Sequence, residues 1–135
     1  MSRKWFSKGG EAHRGWYKGY WCDSSWELAF IIWHLDHNIE ITRNTKVFPY
    51  PWRRGVKYYQ PDFIIGGTYY EVKGVLDYRS KRKAESFPYP LVIVGGREMK
   101  PFLEYARLMY GDDFAVRLLE PPSSTSRILA RKDDR

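Results

Sequence analysis

The sequence predicts an α/β domain with a mixed central β-sheet flanked by helices. Three observations lead to this prediction. The chain has 135 residues, which suits one domain. Its apolar residues follow a helical spacing in two segments, and they alternate or run together as in strands elsewhere. Aromatic residues make up 18% of the chain, and this share is too large for a disordered basic tail.

Charge and cysteine content narrow the functional class. The chain has 23 Lys and Arg against 16 Asp and Glu, a net charge of +7 at pH 7, so nucleic acid is the first expected partner and an acidic protein the second. The single cysteine, Cys22, excludes an internal disulfide and a cysteine-based zinc site. No segment resembles a signal peptide, and no apolar run approaches the roughly 20 residues of a membrane span. We expect a cytoplasmic protein without membrane contact.

The N-terminal part is predicted to be a basic arm followed by a helix. Residues 1–22 interleave glycines with basic and aromatic side chains, which is typical of an irregular segment. The helix is expected from Ser24 to about Asn38, because its apolar residues recur on one face. Ser24 and Glu27 have the spacing of a capping box, in which Glu27 would accept a hydrogen bond from the Ser24 amide.

Two strands and a basic loop are predicted next. Positions 39–43 alternate as in a half-buried strand, and positions 45–50 resemble a second strand that is broken by Pro49 and Pro51. The following loop carries Arg53, Arg54 and Lys57. Together with Arg43 and Lys46, these residues give five positive charges and no acid between positions 41 and 61.

The clearest local prediction is a β-hairpin around Gly66-Gly67. Two glycines supply the positive φ angles of a two-residue turn between strands at 63–65 and 68–72. Counting outward from the turn places Asp62 opposite Glu71. Because side chains alternate between faces, Lys73 would share the face of Glu71. The opposite face, directed to the core, would carry Phe63, Ile65, Tyr70 and Val72.

The remaining elements complete the predicted domain. Positions 91–94 form a short apolar run, as in a strand buried on both faces. A helix follows with Pro101 in its first turn, Gly111 at its end, and one apolar face that consists of Phe102, Tyr105, Ala106 and Met109. A last strand is expected at 114–118. The domain core would then span residues 23–119, and residues 120–135 would form a flexible tail.

The facing carboxylates of the hairpin predict a metal site. Like charges directly across a strand pair destabilise it, so Asp62 and Glu71 need a compensating charge. These carboxylates and the backbone carbonyl of Val72 are the oxygen ligands that Mg²⁺ prefers. Lys73 would then hold and activate a water next to the metal. The simpler alternative is a surface hairpin in which Lys73 only neutralises the two acids.

Three basic clusters are candidate contacts to the DNA backbone, although each would also suit a solvated surface. They consist of Arg3, Lys4, Arg14 and Lys18 in the arm, Arg43, Lys46, Arg53, Arg54 and Lys57 in the middle stretch, and Arg79, Lys81, Arg82 and Lys83 at the start of the next helix. Among the histidines, His34 is expected in the core two turns after Glu27, and no role is predicted for His13 or His37.

Pro61-Asp62 followed by Glu71-Val72-Lys73 resembles the PD-(D/E)xK nuclease superfamily. The resemblance implies a restriction-endonuclease-like core, Mg²⁺ at the hairpin with Mn²⁺ as a substitute, and hydrolysis of phosphodiester bonds. Many members present a glutamate from the first core helix, and Glu27 in Ser24-Ser25-Trp26-Glu27-Leu28 occupies that place. Glu27 therefore joins Asp62, Glu71 and Lys73 as a catalytic residue and a possible metal ligand.

The stretch from about Gly15 to Phe114 is also similar to phage-type homing endonucleases. The resembling segments are Gly15-Trp16-Tyr17-Lys18-Gly19, Trp21-Cys22-Asp23-Ser24-Ser25-Trp26-Glu27-Leu28-Ala29, Leu35-Asp36-His37-Asn38-Ile39, Tyr59-Gln60-Pro61-Asp62-Phe63 and the end of the last long helix from Tyr105. The zinc-binding finger that often precedes such modules is absent, since Cys22 stands alone. The resemblance implies site-specific cleavage of double-stranded DNA in the host cell of a phage, without an organic cofactor.

Other functions remain open at this point. The same acid spacing is similar to phage Holliday-junction resolvases and mismatch-nicking endonucleases, which share the metal chemistry and differ in how they hold DNA. A nucleic-acid-binding module that keeps the fold without catalysis is a third alternative. A chain with one active site would cleave both strands most simply as a homodimer on DNA.

Overall fold

The computed structural model describes residues 13–121, which form an α/β fold with a mixed central sheet flanked by helices. The arm residues Arg3 and Lys4 and most of the predicted tail lie outside the described residues. The elements in chain order are β1 (Gly15–Tyr17), β2 (Tyr20–Cys22), α1 (Ser25–Asp36), β3 (Thr42–Arg43), β4 (Phe48–Trp52), β5 (Gly55–Tyr59), β6 (Phe63–Ile65), β7 (Thr68–Val72), α2 (Tyr78–Ser86), β8 (Leu91–Val94), α3 (Gly96–Tyr110) and α4 (Phe114–Leu118).

The central sheet has the strand order β3-β6-β7-β8. Strand β6 pairs antiparallel with β3 and β7, whereas β7 and β8 are parallel, so the prediction of a mixed sheet is confirmed. The predicted hairpin register is also confirmed, since Ile65 pairs with Thr68 and Phe63 with Tyr70. Gly66 and Gly67 have φ angles of 56° and 84°, as a tight turn of this kind requires.

Helix α1 is the centre of the hydrophobic core. It is capped by Ser24, and positions 26–32 are buried without interruption, so the helix is covered on nearly all sides. Phe30 packs against Phe63 of the sheet and Phe102 of α3. The core-facing side of the β6–β7 hairpin is the predicted one, because Ile65, Tyr70 and Val72 pack against this cluster.

The prediction of an irregular N-terminal arm is wrong for its last part. Strands β1 and β2 form an antiparallel hairpin with a turn at Lys18 and Gly19. Tyr17 and Trp21 are buried, and the Trp16 backbone exchanges hydrogen bonds with Glu120. Tyr17 at the hydrophobic core and the backbone pairing with Glu120 therefore attach this segment to the domain.

The region between α1 and β6 also differs from the prediction. The first expected strand is reduced to β3, and the expected basic loop is instead a second hairpin, β4–β5, with Arg53 and Arg54 in its turn. Strand β4 continues through Pro49 and Pro51. In a two-stranded ribbon, alternate residues direct their backbone groups away from the partner strand, so proline at such positions removes no ladder hydrogen bond.

Four predictions for the C-terminal part are corrected. Strand β8 lies at the sheet edge with Val92 40% exposed, so it is not buried on both faces. Helix α3 begins at Gly96, which places Pro101 in its second turn, and Met109 is exposed. Residues 114–118 form helix α4, because a short apolar run does not distinguish helix from strand until it packs. Gly111 ends α3 as predicted.

No helix within residues 13–121 is long and apolar enough to cross a membrane.

Candidate active site

Three acidic side chains from different elements lie close together. Glu27 is in the first turn of α1, Asp62 precedes β6, and Glu71 is on β7. Burial raises the pKa of Asp62 well above its usual range, and the charges of Glu27 and Glu71 raise this pKa further. Burial also raises the pKa of both glutamates. The structure therefore brings together the acids that the sequence predicted.

Asp62 is held by backbone groups on both sides. Its Oδ2 accepts a hydrogen bond from the Val72 amide at 2.8 Å, and its carbonyl accepts one from the Asn44 amide at 2.9 Å. Asn44 is fully buried and donates through Nδ2 to the carbonyls of Pro61 and Lys46. Asn44 thus fixes the segment that carries Asp62. Sequence reasoning missed this residue, because no local pattern distinguishes a buried Asn from a loop Asn.

Glu71 is oriented by a tyrosine that the sequence analysis also missed. The Tyr59 hydroxyl, at the end of β5, donates to Glu71 Oε1 at 3.2 Å. Burial and the neighbouring Glu71 charge raise the pKa of Tyr59, so the hydroxyl keeps its proton for this bond. Each of the two acids therefore has one oxygen committed to a protein donor.

Two lysines are close enough to Glu71 to act on its charge. Lys83 of α2 and Lys73 both lower the pKa of Glu71 against the effect of burial, and Lys83 has the larger influence. Lys83 Nζ also lies 4.9 Å from the centre of the Tyr59 ring. Lys73 follows β7 directly, and its amide donates to the Val94 carbonyl of β8. The sequence predicted Lys83 only as a phosphate contact.

Glu27 is held by a buried ion pair. Its side chain accepts from the Asp23 amide, so the predicted return bond to the Ser24 amide is wrong, although Ser24 Oγ does accept from the Glu27 amide. Arg43 donates to Glu27 Oε1 at 2.8 Å and to Asp23 Oδ2 at 3.2 Å, with its side chain only 15% exposed. The Arg43 guanidinium, predicted to contact DNA, is therefore engaged by these acids.

Replacing Arg43 with methionine is expected to destabilise the protein by about 3 kcal/mol, because Glu27 would remain buried without its counter-charge. Chemical denaturation measures this change. The matched control is Arg14→Met, since Arg14 pairs with Asp23 but is 58% exposed and should cost less than about 1 kcal/mol. Adding Glu27→Gln to Arg43→Met should recover much of the loss. If Arg43→Met and Arg14→Met destabilise the protein equally, Arg43 is not the counter-charge that stabilises the buried Glu27.

The other predicted DNA contacts fall on separate surfaces. Lys18 is in the β1–β2 turn, and Lys46 is exposed before β4. The β4–β5 hairpin and α2 are joined by a hydrogen bond from Arg79 Nε to the Tyr50 hydroxyl at 3.0 Å. These two elements together carry Arg53, Arg54, Lys57, Arg79, Lys81, Arg82 and Lys83.

The histidines do not contribute to the acidic cluster. His34 is buried, contacts the Phe30 carbonyl through Nδ1 at 2.7 Å, and packs against Phe102, so the predicted core position is confirmed. His37 caps the end of α1 and stacks on Trp33. His13 is exposed.

Asp62 and Glu71 provide carboxylate oxygens of the kind that a Mg²⁺ site would use. No group of three or more His, Cys, Asp or Glu side chains in residues 13–121 is arranged to hold a metal by itself. Mg²⁺ usually binds one or two carboxylates and completes its shell with water and phosphate. The backbone amide and carbonyl of a residue in an extended strand point to the same side. Because the Val72 amide donates to Asp62, the Val72 carbonyl is directed toward Asp62 as well. Neighbouring acids with raised pKa values would be stabilised by a cation.

Comparisons with protein-family models, curated proteins and solved structures each found no match. Any functional assignment therefore depends on the chemistry of the site and on the sequence motif.

Proposed function

We propose that this chain is a Mg²⁺-dependent endonuclease that hydrolyses phosphodiester bonds in double-stranded DNA. The observation that supports this most is the acidic cluster, in which Asp62 and Glu71 have pKa values raised by burial at the end of a hairpin that leads into Lys73. Such perturbed acids are typical of functional sites. The net charge of +7 would attract a polyanion to them.

The chain's own residues have separate roles in this proposal. Asp62 and Glu71 would hold Mg²⁺ with the Val72 carbonyl, and Mn²⁺ would substitute because it takes the same oxygen ligands. When bound, the ion would stabilise the negative charge that develops on the scissile phosphate and would lower the pKa of a water molecule. Lys73 orients the attacking water, while Tyr59 keeps the Glu71 carboxylate in place. Glu27 assists at the edge of the site, next to Arg43.

The PD-(D/E)xK motif, Pro61-Asp62 with Glu71-Val72-Lys73, is the second support for the proposal. Its resemblance to phage-type homing endonucleases favours site-specific cleavage in the host cytoplasm, by a homodimer on DNA that cuts both strands. A structure-selective resolvase would use the same residues. A non-catalytic binding module would have no need for Asp62, Glu71 and Lys73 together.

One cleavage experiment separates these functions. The protein is incubated with Mg²⁺ and a random-sequence plasmid library, an intact four-way junction or a single strand, and the cut ends are mapped. We expect one dominant cut site in duplex DNA, with both strands cut. Cutting of junctions regardless of sequence would instead identify a resolvase. Binding without cleavage of any substrate would identify the non-catalytic module and overturn the proposal.

A further inference from the structure

The β4–β5 hairpin is separate from the central sheet and forms a two-stranded ribbon of its own. Only one of its faces is packed. On that face Tyr50 and Tyr59 are buried, and Tyr50 accepts the hydrogen bond from Arg79 of α2. The Trp52 ring has the guanidinium groups of Arg53 and Arg79 at 5.1 and 5.9 Å from its centre. The ribbon is therefore fixed against α2 from one side.

The other face and the tip of the hairpin are open to solvent. Val56 and Tyr58 are 60% and 65% exposed, and Pro49 and Pro51 on the same face are exposed too. The turn consists of two exposed arginines, and Arg53 has a left-handed φ of 57°, where glycine or asparagine is the usual residue. An arginine at so unfavourable a position, next to a second exposed arginine and in a stretch from 41 to 61 without an acid, indicates a surface for a polyanion.

The hairpin also has a fixed relation to the acidic cluster. Tyr59, the last residue of β5, donates its hydroxyl to Glu71. From Tyr59 the ribbon extends over the five residues of β5, which corresponds to about 16 Å. The tip can therefore contact the duplex at a distance from a phosphate that is held next to the acidic cluster.

We propose that the β4–β5 hairpin enters the major groove of duplex DNA and that Arg54 at its tip recognises a guanine. A two-stranded ribbon fits the major groove, which is about 12 Å wide, but not the minor groove of about 6 Å. Arginine donates two hydrogen bonds to guanine O6 and N7, and both atoms face the major groove. Arg53 rests on Trp52, which leaves Arg54 as the exposed arginine of the tip that has no ring contact within residues 13–121. This inference rests on the proposed function, because it requires duplex DNA as the ligand.

A binding selection without divalent metal tests the inference independently of cleavage. The full chain selects from duplexes with 20 randomised base pairs, and the bound molecules are sequenced. We expect a preferred sequence with one guanine that depends on Arg54. Arg54→Lys, which keeps the charge but lacks the two-pronged guanidinium, should lose this preference and weaken binding to the selected duplex about tenfold or more. Its binding to unselected duplex should stay unchanged.

Two controls define the outcome. Arg117→Gln removes one positive charge from α4, which packs at the far end of α3, roughly 20 Å along that helix from the site, and should bind as the unmodified chain does. Replacing the preferred guanine with 7-deazaguanine, which lacks N7, should reduce affinity as Arg54→Lys does. Unchanged preference in Arg54→Lys, an equal loss on all sequences, or no effect of 7-deazaguanine would overturn the inference. Intact guanine recognition without Mg²⁺-dependent cleavage would overturn only the proposed nuclease.

Discussion

Replacing Lys73 with alanine is expected to lower DNA cleavage at least about a hundredfold while leaving DNA binding nearly unchanged. Lys73 is proposed to orient the attacking water, and removal of a group that acts in proton transfer or charge stabilisation typically costs a factor of 10² to 10⁴. Its loss removes only one of the 23 positive charges of the chain, so the long-range attraction to DNA persists. Single-turnover cleavage and binding titrations at several salt concentrations measure the two effects.

The control for this change is Lys100→Ala, which removes the same charge from an exposed position of α3. It should cleave as the unmodified chain does. If Lys73→Ala cleaves at the normal rate, Lys73 is not catalytic, and Lys83 becomes the remaining lysine that acts on Glu71. A parallel loss of binding and cleavage would instead make Lys73 a phosphate contact.

The second large effect concerns stability. Without divalent metal at pH 8, Asp62→Asn is expected to be more stable than the unmodified chain. The pKa of Asp62 is raised in the folded protein, so the unmodified chain loses stability as pH rises from the ordinary aspartate pKa through the raised value. The loss is about 1.4 kcal/mol for each unit of difference between the folded and unfolded pKa. Asparagine keeps an acceptor for the Val72 amide but carries no charge.

Mg²⁺ should act in the opposite direction. Saturating Mg²⁺ is expected to stabilise the unmodified chain, by about 2.7 kcal/mol when its concentration is a hundred times the dissociation constant, and to leave Asp62→Asn unchanged. Thermal unfolding at pH 4 and pH 8, with and without Mg²⁺, measures both effects. Asp112→Asn removes an exposed charge and should behave as the unmodified chain does. An Asp62→Asn protein that is less stable at pH 8 without metal would contradict the account.

The β6–β7 hairpin was predictable because its determinants are local. Gly66-Gly67 fix a two-residue turn, and the alternation of side chains then determines which residues face the core. The placement of Asp62 near Glu71 follows from the same counting. The end of α3 at Gly111 and the start of α1 after Ser24 are similarly encoded by single capping residues.

What could not be predicted depends on contacts between distant segments. The ion pair of Arg43 with Glu27 joins residues from different elements, and no periodic pattern marks either partner. The same holds for Tyr59, whose bond to Glu71 requires the β4–β5 hairpin to be in place. That hairpin was concealed by two prolines, which are unfavourable in most strands but tolerated in a two-stranded ribbon.

The most direct test of the account is the Mg²⁺ dependence of duplex cleavage by the unmodified chain and by Asp62→Asn, measured side by side on the same plasmid library. The account predicts that the unmodified chain is inactive in EDTA, that its rate rises to saturation with Mg²⁺, and that Asp62→Asn stays inactive at every concentration. Cleavage in EDTA, or equal cleavage by the two proteins, would contradict a metal site at Asp62 and Glu71.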